Sequence, residues 1–525
     1  MGRKVLLVQP PVLYSTWGEY TKPSYLVPLA SFIKQNGFDV RILDLQPNGS
    51  EAGKLFKTMK EFIDDCENTL NRYDYDILGV SCWTSQHYVP SVLLGLISRV
   101  MNPDAINLVG GYHPSILPSD FLKSTRNLRF KIHSSESDLI DIPARLTEFI
   151  TEAGRHSPVL DYIICGEGEV PLLQICRDED VEKGKNRKRT RVITGESMED
   201  LNEIDYDYSL LLDDSDGGIE SPKTGLGCLC EGIPVYLSRG CPFNCWFCTE
   251  KSKGSKSWRS LTPSKSVQII KNIIDKFNPP FILFADACFG ANREWKTKFL
   301  DQLVQERNNN TRYWCETSVN CTSREDLKGF SKLPFEIAFG VESGSPKMLD
   351  LMNKTTDPDS YLNQHRKLID ACIELSIPAG SYFIWGFPGE TEQTLGETLR
   401  YQNSLLRIGE DHPYIDVAGQ FFCLFPGSHV YENMEYYSKE FGAVFRVQDW
   451  WKYITRDFRK MASQVDPSRA LSLAEETEMV SYEFMIDWNR LNWNRARRYR
   501  WASAKSSTQK VETPDVFDFN SNTAR

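Results

Sequence analysis

Ser238-Arg-Gly-Cys-Pro-Phe-Asn-Cys-Trp-Phe-Cys248 sets three cysteines, Cys241, Cys245 and Cys248, in one short run. An iron–sulfur cubane has four irons and ordinarily takes four thiolates. A tight trio without an evident fourth partner leaves one iron open to a substrate or cofactor, and Phe247 would stand beside that open corner. Structural zinc asks for four ligands, commonly in two separated pairs, and no second pair follows downstream. Cys228 and Cys230 precede the trio, but their C-x-C spacing and different strand position set them apart from it.

The C-x3-C-x-aromatic-C spacing resembles the signature of the radical S-adenosylmethionine (SAM) enzymes. That resemblance implies a [4Fe-4S] cluster on Cys241, Cys245 and Cys248 whose open iron chelates the amino and carboxylate groups of SAM. It also implies a partial (β/α)6 barrel, with ligands at the carboxyl ends of parallel strands. The expected strands carry family phrases in order: Pro234–Ser238, Phe281–Asp286, Tyr313–Asn320, Glu336–Ser345 followed by Met352-Asn-Lys354, Tyr382–Thr391, and Phe421–Ser428. On these phrases the resemblance implies a SAM site framed by Phe247, Asp286, Ser318, Glu342, Ser343, Gly386 and Gly389. Glu316, Ser318 and Asn320 alternate and would share one face of a strand. Cys288, Cys315 and Cys423 fall near strand ends and are read as small buried hydrophobes.

Ahead of the barrel, short apolar runs alternate with helical spacings. Lys4–Val8, Val40–Asp44, Asp76–Ser81 and Ile106–Gly111 read as buried parallel strands, with helices over Tyr25–Asn36 and about Val89–Arg99 between them. This is an α/β pattern, a doubly wound, flavodoxin-like sheet that binds ligands at its strand ends. Gly110-Gly111-Tyr-His113-Pro and Gly166-Glu167-Gly168-Glu169 resemble the cobalamin-binding domain that precedes many radical SAM barrels. The resemblance implies cobalamin contacts from Pro11, Ser81, Trp83, Thr84, Gly110, Gly111, His113, Gly166, Glu167 and Gly168. One departure stands out: the D-x-H-x-x-G motif that gives cobalt a histidine elsewhere is absent. Ser85-Gln-His87-Tyr-Val-Pro90 lacks its acid and glycine, so His87 and His113 read as helix or loop histidines, and no lower axial ligand is named.

At 525 residues the chain exceeds one ordinary core. The expected organisation is a cobalamin-binding-like domain over 1–175, a linker or strap over 176–232 holding Asp205-Tyr-Asp-Tyr208, the barrel over 233–440, a helical cap over 441–502 and a disordered tail over 503–525. Hydrophobic content of 41% and charged content of 25% are those of a globular protein, and no apolar stretch approaches bilayer length. Fourteen cysteines without a paired framework, beside an oxygen-sensitive motif, fit reduced thiols in the cytoplasm. The net charge of −10 disfavours a nucleic-acid footprint. The basic runs Lys183–Arg191 and Arg490–Arg500 read as solvated charge.

Within the family, one SAM methylates the cobalamin and a second yields a 5′-deoxyadenosyl radical that takes hydrogen from an unactivated carbon. The expectation is therefore a cobalamin-dependent C-methyltransferase for a small-molecule or lipid substrate, fed by an electron donor such as flavodoxin or ferredoxin. A cyclase, ring-rearranging or carbon–carbon coupling enzyme on the same two domains is the alternative, as is an RNA-modifying enzyme. The residues that carry the chemistry on the substrate are not legible.

Overall fold

Among the described residues are fourteen strands, twelve of them in two parallel six-stranded sheets. The computed structural model describes residues 2–10, 22–45, 59–123, 158–178, 189–211, 232–253, 257–306, 310–412 and 414–445. Pro11, Cys228, Cys230, most of the Lys183–Arg191 run, and nearly all of the expected cap and tail lie outside them.

The first sheet contains β1 (Lys4–Gln9), β2 (Asp39–Asp44), β3 (Ile77–Ser81), β4 (Ile106–Gly110), β5 (Tyr162–Gly166) and β6 (Arg191–Gly195). Its order, β2-β1-β3-β4-β5-β6, is parallel throughout and reverses between β1 and β3. That is the flavodoxin-like arrangement, whose ligands bind at the carboxyl ends near the switch. Both faces are covered, which is why β3 reads Ile-Leu-Gly-Val-Ser with every residue buried. Val5, Leu7 and Ile77 pack with Ile33, Leu172 and Ile175 of helices Val27–Gln35 and Glu169–Arg177. Leu6, Val8 and Leu78 pack with Phe62, Val92 and Leu96 of helices Met59–Leu70 and Tyr88–Met101. The sheet runs past the expected boundary at residue 175, because β6 pairs with β5 from inside the stretch read as linker.

The second sheet contains β7 (Ile233–Val235), β10 (Phe281–Phe284), β11 (Arg312–Thr317), β12 (Phe335–Glu342), β13 (Ala379–Trp385) and β14 (Ile415–Phe421), in the order β14-β13-β12-β11-β10-β7. All pairs are parallel and the two edges do not join, so the barrel is partial and open. Ile337, Phe339, Val341, Phe383 and Val417 face outward onto helical residues such as Ile273, Phe299 and Ile369. The alternate residues, among them Trp314, Glu316 and Tyr382, therefore face the barrel interior.

Three expectations shift here. The first barrel strand ends at Val235, and Ser238–Arg239 instead forms β8, paired antiparallel with β9 (Arg259–Ser260). Phe421–Ser428 follows the sixth barrel strand rather than forming it, since Ile415–Phe421 is the β-run and Pro426 starts the turn. Strand β11 ends at Thr317, so Ser318 and Asn320 do not continue its alternation. They occupy a 3-10 turn in which Ser318 Oγ accepts from the Asn320 N–H at 3.3 Å.

Residues 198–208 make contacts with the units of both sheets. On one side Lys34 pairs with Asp207 at 2.9 Å, Gln35 donates to the Glu203 carbonyl at 2.8 Å, and the Asp207 N–H reaches Ser31 Oγ at 2.8 Å. On the other, the Thr262 N–H donates to Asn202 Oδ1 at 2.8 Å. Met198, Leu201, Ile204 and Tyr208 enter the barrel's own hydrophobic core.

Candidate active site

The cysteine loop starts at Gly240, whose φ of +82° few side chains tolerate. The loop is then pinned from the far side of the barrel. The Trp246 N–H donates to the Met352 carbonyl at 2.9 Å, and Asn353 Nδ2 donates to the Asn244 carbonyl at 2.7 Å. Trp246 stacks on His429 with centroids 4.3 Å apart, and Lys251 Nζ holds the Cys241 carbonyl at 3.0 Å. Cys241 and Cys245 are half-buried and Cys248 is exposed. Burial raises the free Cys245 thiol to about 12, against the pull of the Lys354 ammonium.

Among the described residues no three His, Cys, Asp or Glu side chains converge on a single ion. A cubane makes a different demand, one thiolate on each of several irons, and three loop thiols with no competing carboxylate or imidazole ligand match that donor set. The residues present fit the cluster.

Beside the loop, the end of β12 is irregular. Its register with β13 slips between Gly340 and Glu342, and Glu342 takes a φ of +69°. Bulges and left-handed non-glycine residues of this kind cluster at functional sites. The turn folds the Glu342 carboxylate back over Gly340, where a Cβ would lie 2.7 Å from Glu342 Oε1. There Lys354 Nζ pairs with Glu342 at 2.7 Å and sits 5.9 Å from the centre of the Phe247 ring. Glu316 opens toward the same space. Enclosure by the barrel walls and the nearby Glu342 raise its carboxyl to about 7, with Lys354 acting the other way. Phe247, Glu342, Lys354 and Glu316 thus meet at the cluster loop. Lys354, at the end of Met-Asn-Lys, was visible in the sequence but carried no assigned role.

The other expected SAM residues are placed differently. Asp286 is buried between β10 and β8, accepting from the Leu237 N–H at 3.1 Å and from Ser238 Oγ. Burial lifts its carboxyl to about 7, and its Oδ2 has no partner in the structure. Ser343 turns into the body and shares a 2.8 Å hydrogen bond with Thr398. The Gly386 N–H is taken by Glu390, so it does not stand free for an adenine edge. Gly389, at φ +96°, is required by packing, since a Cβ there would lie 2.9 Å from Phe441. Cys315 is an outward-facing core residue as expected, and Cys423 is half-buried. Cys288 is buried, with the Cys241 and Cys321 thiols as its electrostatic neighbours.

At the strand ends of the first sheet, Ser81 and Gly110 close β3 and β4. Gly111 has a φ of +113° and a Cβ there would strike the Cys82 carbonyl at 2.7 Å, so the turn needs glycine. Trp83 projects from this edge against Tyr25 and Tyr112, with centroids 4.3 and 4.8 Å away, and lies 6.3 Å from Tyr236 of the barrel unit. Thr84 is committed locally, its Oγ1 bonding His87 Nδ1 at 3.1 Å. His87 is buried, which lowers its imidazole to about 4. His113 stacks on Tyr88 and bonds Asp120 at 3.1 Å, with a buried, unpartnered Nδ1. A side-chain-free glycine turn and an aromatic wall at the switch of a flavodoxin-like sheet fit a corrinoid.

Two further expected cobalamin contacts lie between the end of β5 and the next helix. Glu167 reaches the barrel unit, pairing with Arg239 at 2.8 Å and with Arg259. Gly168 has ordinary backbone angles, a Cβ there would make ordinary contact with Leu29 at 3.5 Å, and it caps helix Glu169–Arg177. Gly166, at φ +79°, packs backbone to backbone on Gly195. Pro11 lies outside the described residues.

Residues 235–401 match the radical SAM superfamily and residues 12–131 the B12 binding domain. The chain belongs to the radical SAM enzymes that carry an N-terminal cobalamin-binding domain, and its cofactors are a [4Fe-4S] cluster, SAM and cobalamin. It is similar to an uncharacterized methyltransferase of Pyrococcus horikoshii, 23% identical over 86% of this chain and 87% of that protein. It is also 23% identical to the anaerobic magnesium-protoporphyrin IX monomethyl ester cyclase of Rubrivivax gelatinosus, over 72% of this chain and 61% of the cyclase. Among solved structures, the radical SAM methyltransferase TsrM of Kitasatospora setae, with cobalamin and a [4Fe-4S] cluster bound, superposes with a TM-score of 0.56. It is 15% identical, and the match covers 90% of this chain and 85% of that one. No helix among the described residues is long and apolar enough to cross a membrane.

Proposed function

We propose that the chain is a C-methyltransferase acting on an unactivated carbon of a small-molecule or lipid substrate. The observation that carries this reading is the juxtaposition of two strand-end sites: the corrinoid edge at Trp83 and Gly111 faces the barrel strand that leads into Cys241. When bound, the cluster supplies the electron that cleaves SAM and the corrinoid carries the methyl group. Cys241, Cys245 and Cys248 hold the cluster, and Phe247 screens its open corner. Lys354 offers an ammonium to the SAM carboxylate, while Glu342 and Glu316 offer carboxylates to its amino group and ribose. The exposed Cys248 side of the loop is where a flavodoxin- or ferredoxin-type donor would approach.

The test is anaerobic reconstitution with cobalamin, then turnover with methyl-deuterated SAM and a low-potential reductant on candidate substrates. Transfer of the labelled methyl with release of 5′-deoxyadenosine is the expected result. A product of unchanged carbon count would instead favour a cyclase or rearranging enzyme, the second reading, which rests on similarity to the Rubrivivax cyclase across 72% of the chain.

A further inference from the structure

Arg239 and Arg259 stand directly opposite each other in the β8–β9 pair. Like charges in that position destabilise a strand pair, so something must neutralise them. The neutralising groups come from the other sheet. Glu167 bridges both guanidinium groups, meeting Arg239 at 2.8 Å and Arg259 through its second oxygen. Glu169 takes the remaining Arg239 nitrogen at 2.5 Å, and the Met198 N–H completes Glu167 at 2.9 Å. Both glutamates and both arginines are largely shielded, with side-chain exposures of 13%, 5%, 21% and 14%. Burial alone would raise the Glu167 carboxyl, but Arg239 and Arg259 outweigh it and hold it below its usual range.

Two features aim this cluster at the chemistry. Arg239 is separated from Cys241 only by Gly240, and Glu167 directly follows β5, whose end belongs to the corrinoid edge. Gly166 and Gly195 let β5 and β6 approach closely enough to turn Glu167 outward, since a Cβ on Gly195 would overlap the Glu167 carbonyl.

We infer that Glu167, Glu169, Arg239 and Arg259 form a positioning clasp that fixes the corrinoid edge of the first sheet relative to the cluster loop. The clasp is built on ion pairs between protein side chains. It acts through β8 and β5, and breaking one partner strands a shielded charge. The inference rests on the cofactors assigned above, and its first test reads their separation.

The full chain, loaded with cluster and cobalamin, is poised with cobalt as Co(II) and the cluster reduced. The reduced cluster then speeds the electron-spin relaxation of the cobalt in a distance-dependent way. Glu167→Gln is expected to keep iron and cobalt per chain while losing that enhancement, Glu167→Asp to retain part of it, and Glu169→Gln to show a smaller loss. Wild-type enhancement in Glu167→Gln and Glu169→Gln overturns the clasp, and if Glu167→Gln does not fold, Glu169→Gln decides. A wild-type chain that takes up iron but no cobalt would defeat the corrinoid assignment alone. The clasp is then judged by calorimetry of the chain without cofactors. Separation of one unfolding transition into two in Glu167→Gln supports it, and an unsplit transition overturns it.

Discussion

The cluster loop distributes its thiols unevenly among roles, and single substitutions separate them. Cys288 neighbours Cys241, yet only Cys241 lies in the loop. Cys241→Ala is expected to abolish the iron content of the reconstituted protein, whereas Cys288→Ala should retain it; iron and sulfide analysis of both variants checks this. Lys354→Met removes the cation from Glu342 and from the space beside Phe247. A charged hydrogen bond contributes about 1.5–3 kcal/mol, so SAM binding should weaken by at least about tenfold with iron unchanged, read by equilibrium binding. Lys354 was quoted within a family phrase but left without a role, because its partner Glu342 lies 12 positions away and meets it only through the bulge. The pairing of Glu167 was illegible for a related reason. Gly-Glu-Gly-Glu was read through its resemblance to cobalamin-binding domains, while its arginine partners lie 72 and 92 positions downstream.

Elements, by contrast, were largely readable, since buried parallel strands declare themselves as apolar runs and helices by their spacing. Helix Pro263–Phe277 shows that spacing, with Val267, Ile270 and Ile274 buried on one face. It starts with Thr262, whose Oγ1 accepts from the Lys265 N–H at 3.3 Å, and with proline at the first position. Thr262→Ala should cost about 1 kcal/mol, measured by denaturant unfolding, with no change in cofactor content. Gly111→Ala acts on an element junction instead. Forcing φ +113° on a side chain that meets the Cys82 carbonyl should cost about 1–3 kcal/mol and reduce cobalt retention after reconstitution. Failures at this scale fell at strand ends: β8 broke away from β7, and Ser318 left β11 for a turn. Hydrogen-bond partners settle such ends, and no periodicity reports them.

At the scale of the molecule, buried ionisable groups tie stability to pH. Burial raises the Glu390 carboxyl to about 8, so it stays protonated in the fold where the unfolded chain would ionise near 4.5. The folded state then binds more protons across that window, and stability falls as pH rises from about 4.5 to about 8. Glu390→Gln keeps an acceptor for the Gly386 N–H and should flatten that decline, seen as a smaller loss of thermal midpoint between pH 6 and pH 8. His365 works at the other limb. Burial lowers its imidazole to about 3, so stability is lost as pH falls from 6.5 toward 3, where the unfolded chain gains a proton first. Two buried pairs, Arg99 with Asp161 and Lys296 with Asp326, lie one in each unit, and neither bridges the two.

The sequence by itself determined the cysteine trio, the family and the two-sheet plan, because each is written in local order: three thiols on one loop, and alternating strand and helix. The tertiary structure decided which conserved-looking phrases serve the cofactors and which serve the architecture. Glu167 pairs with Arg239, Ser343 with Thr398, the Gly386 N–H with Glu390, and Lys354 with Glu342 beside Phe247. A charged side chain goes where an opposite charge is brought within reach, and that depends on how strands far apart in the chain are laid side by side.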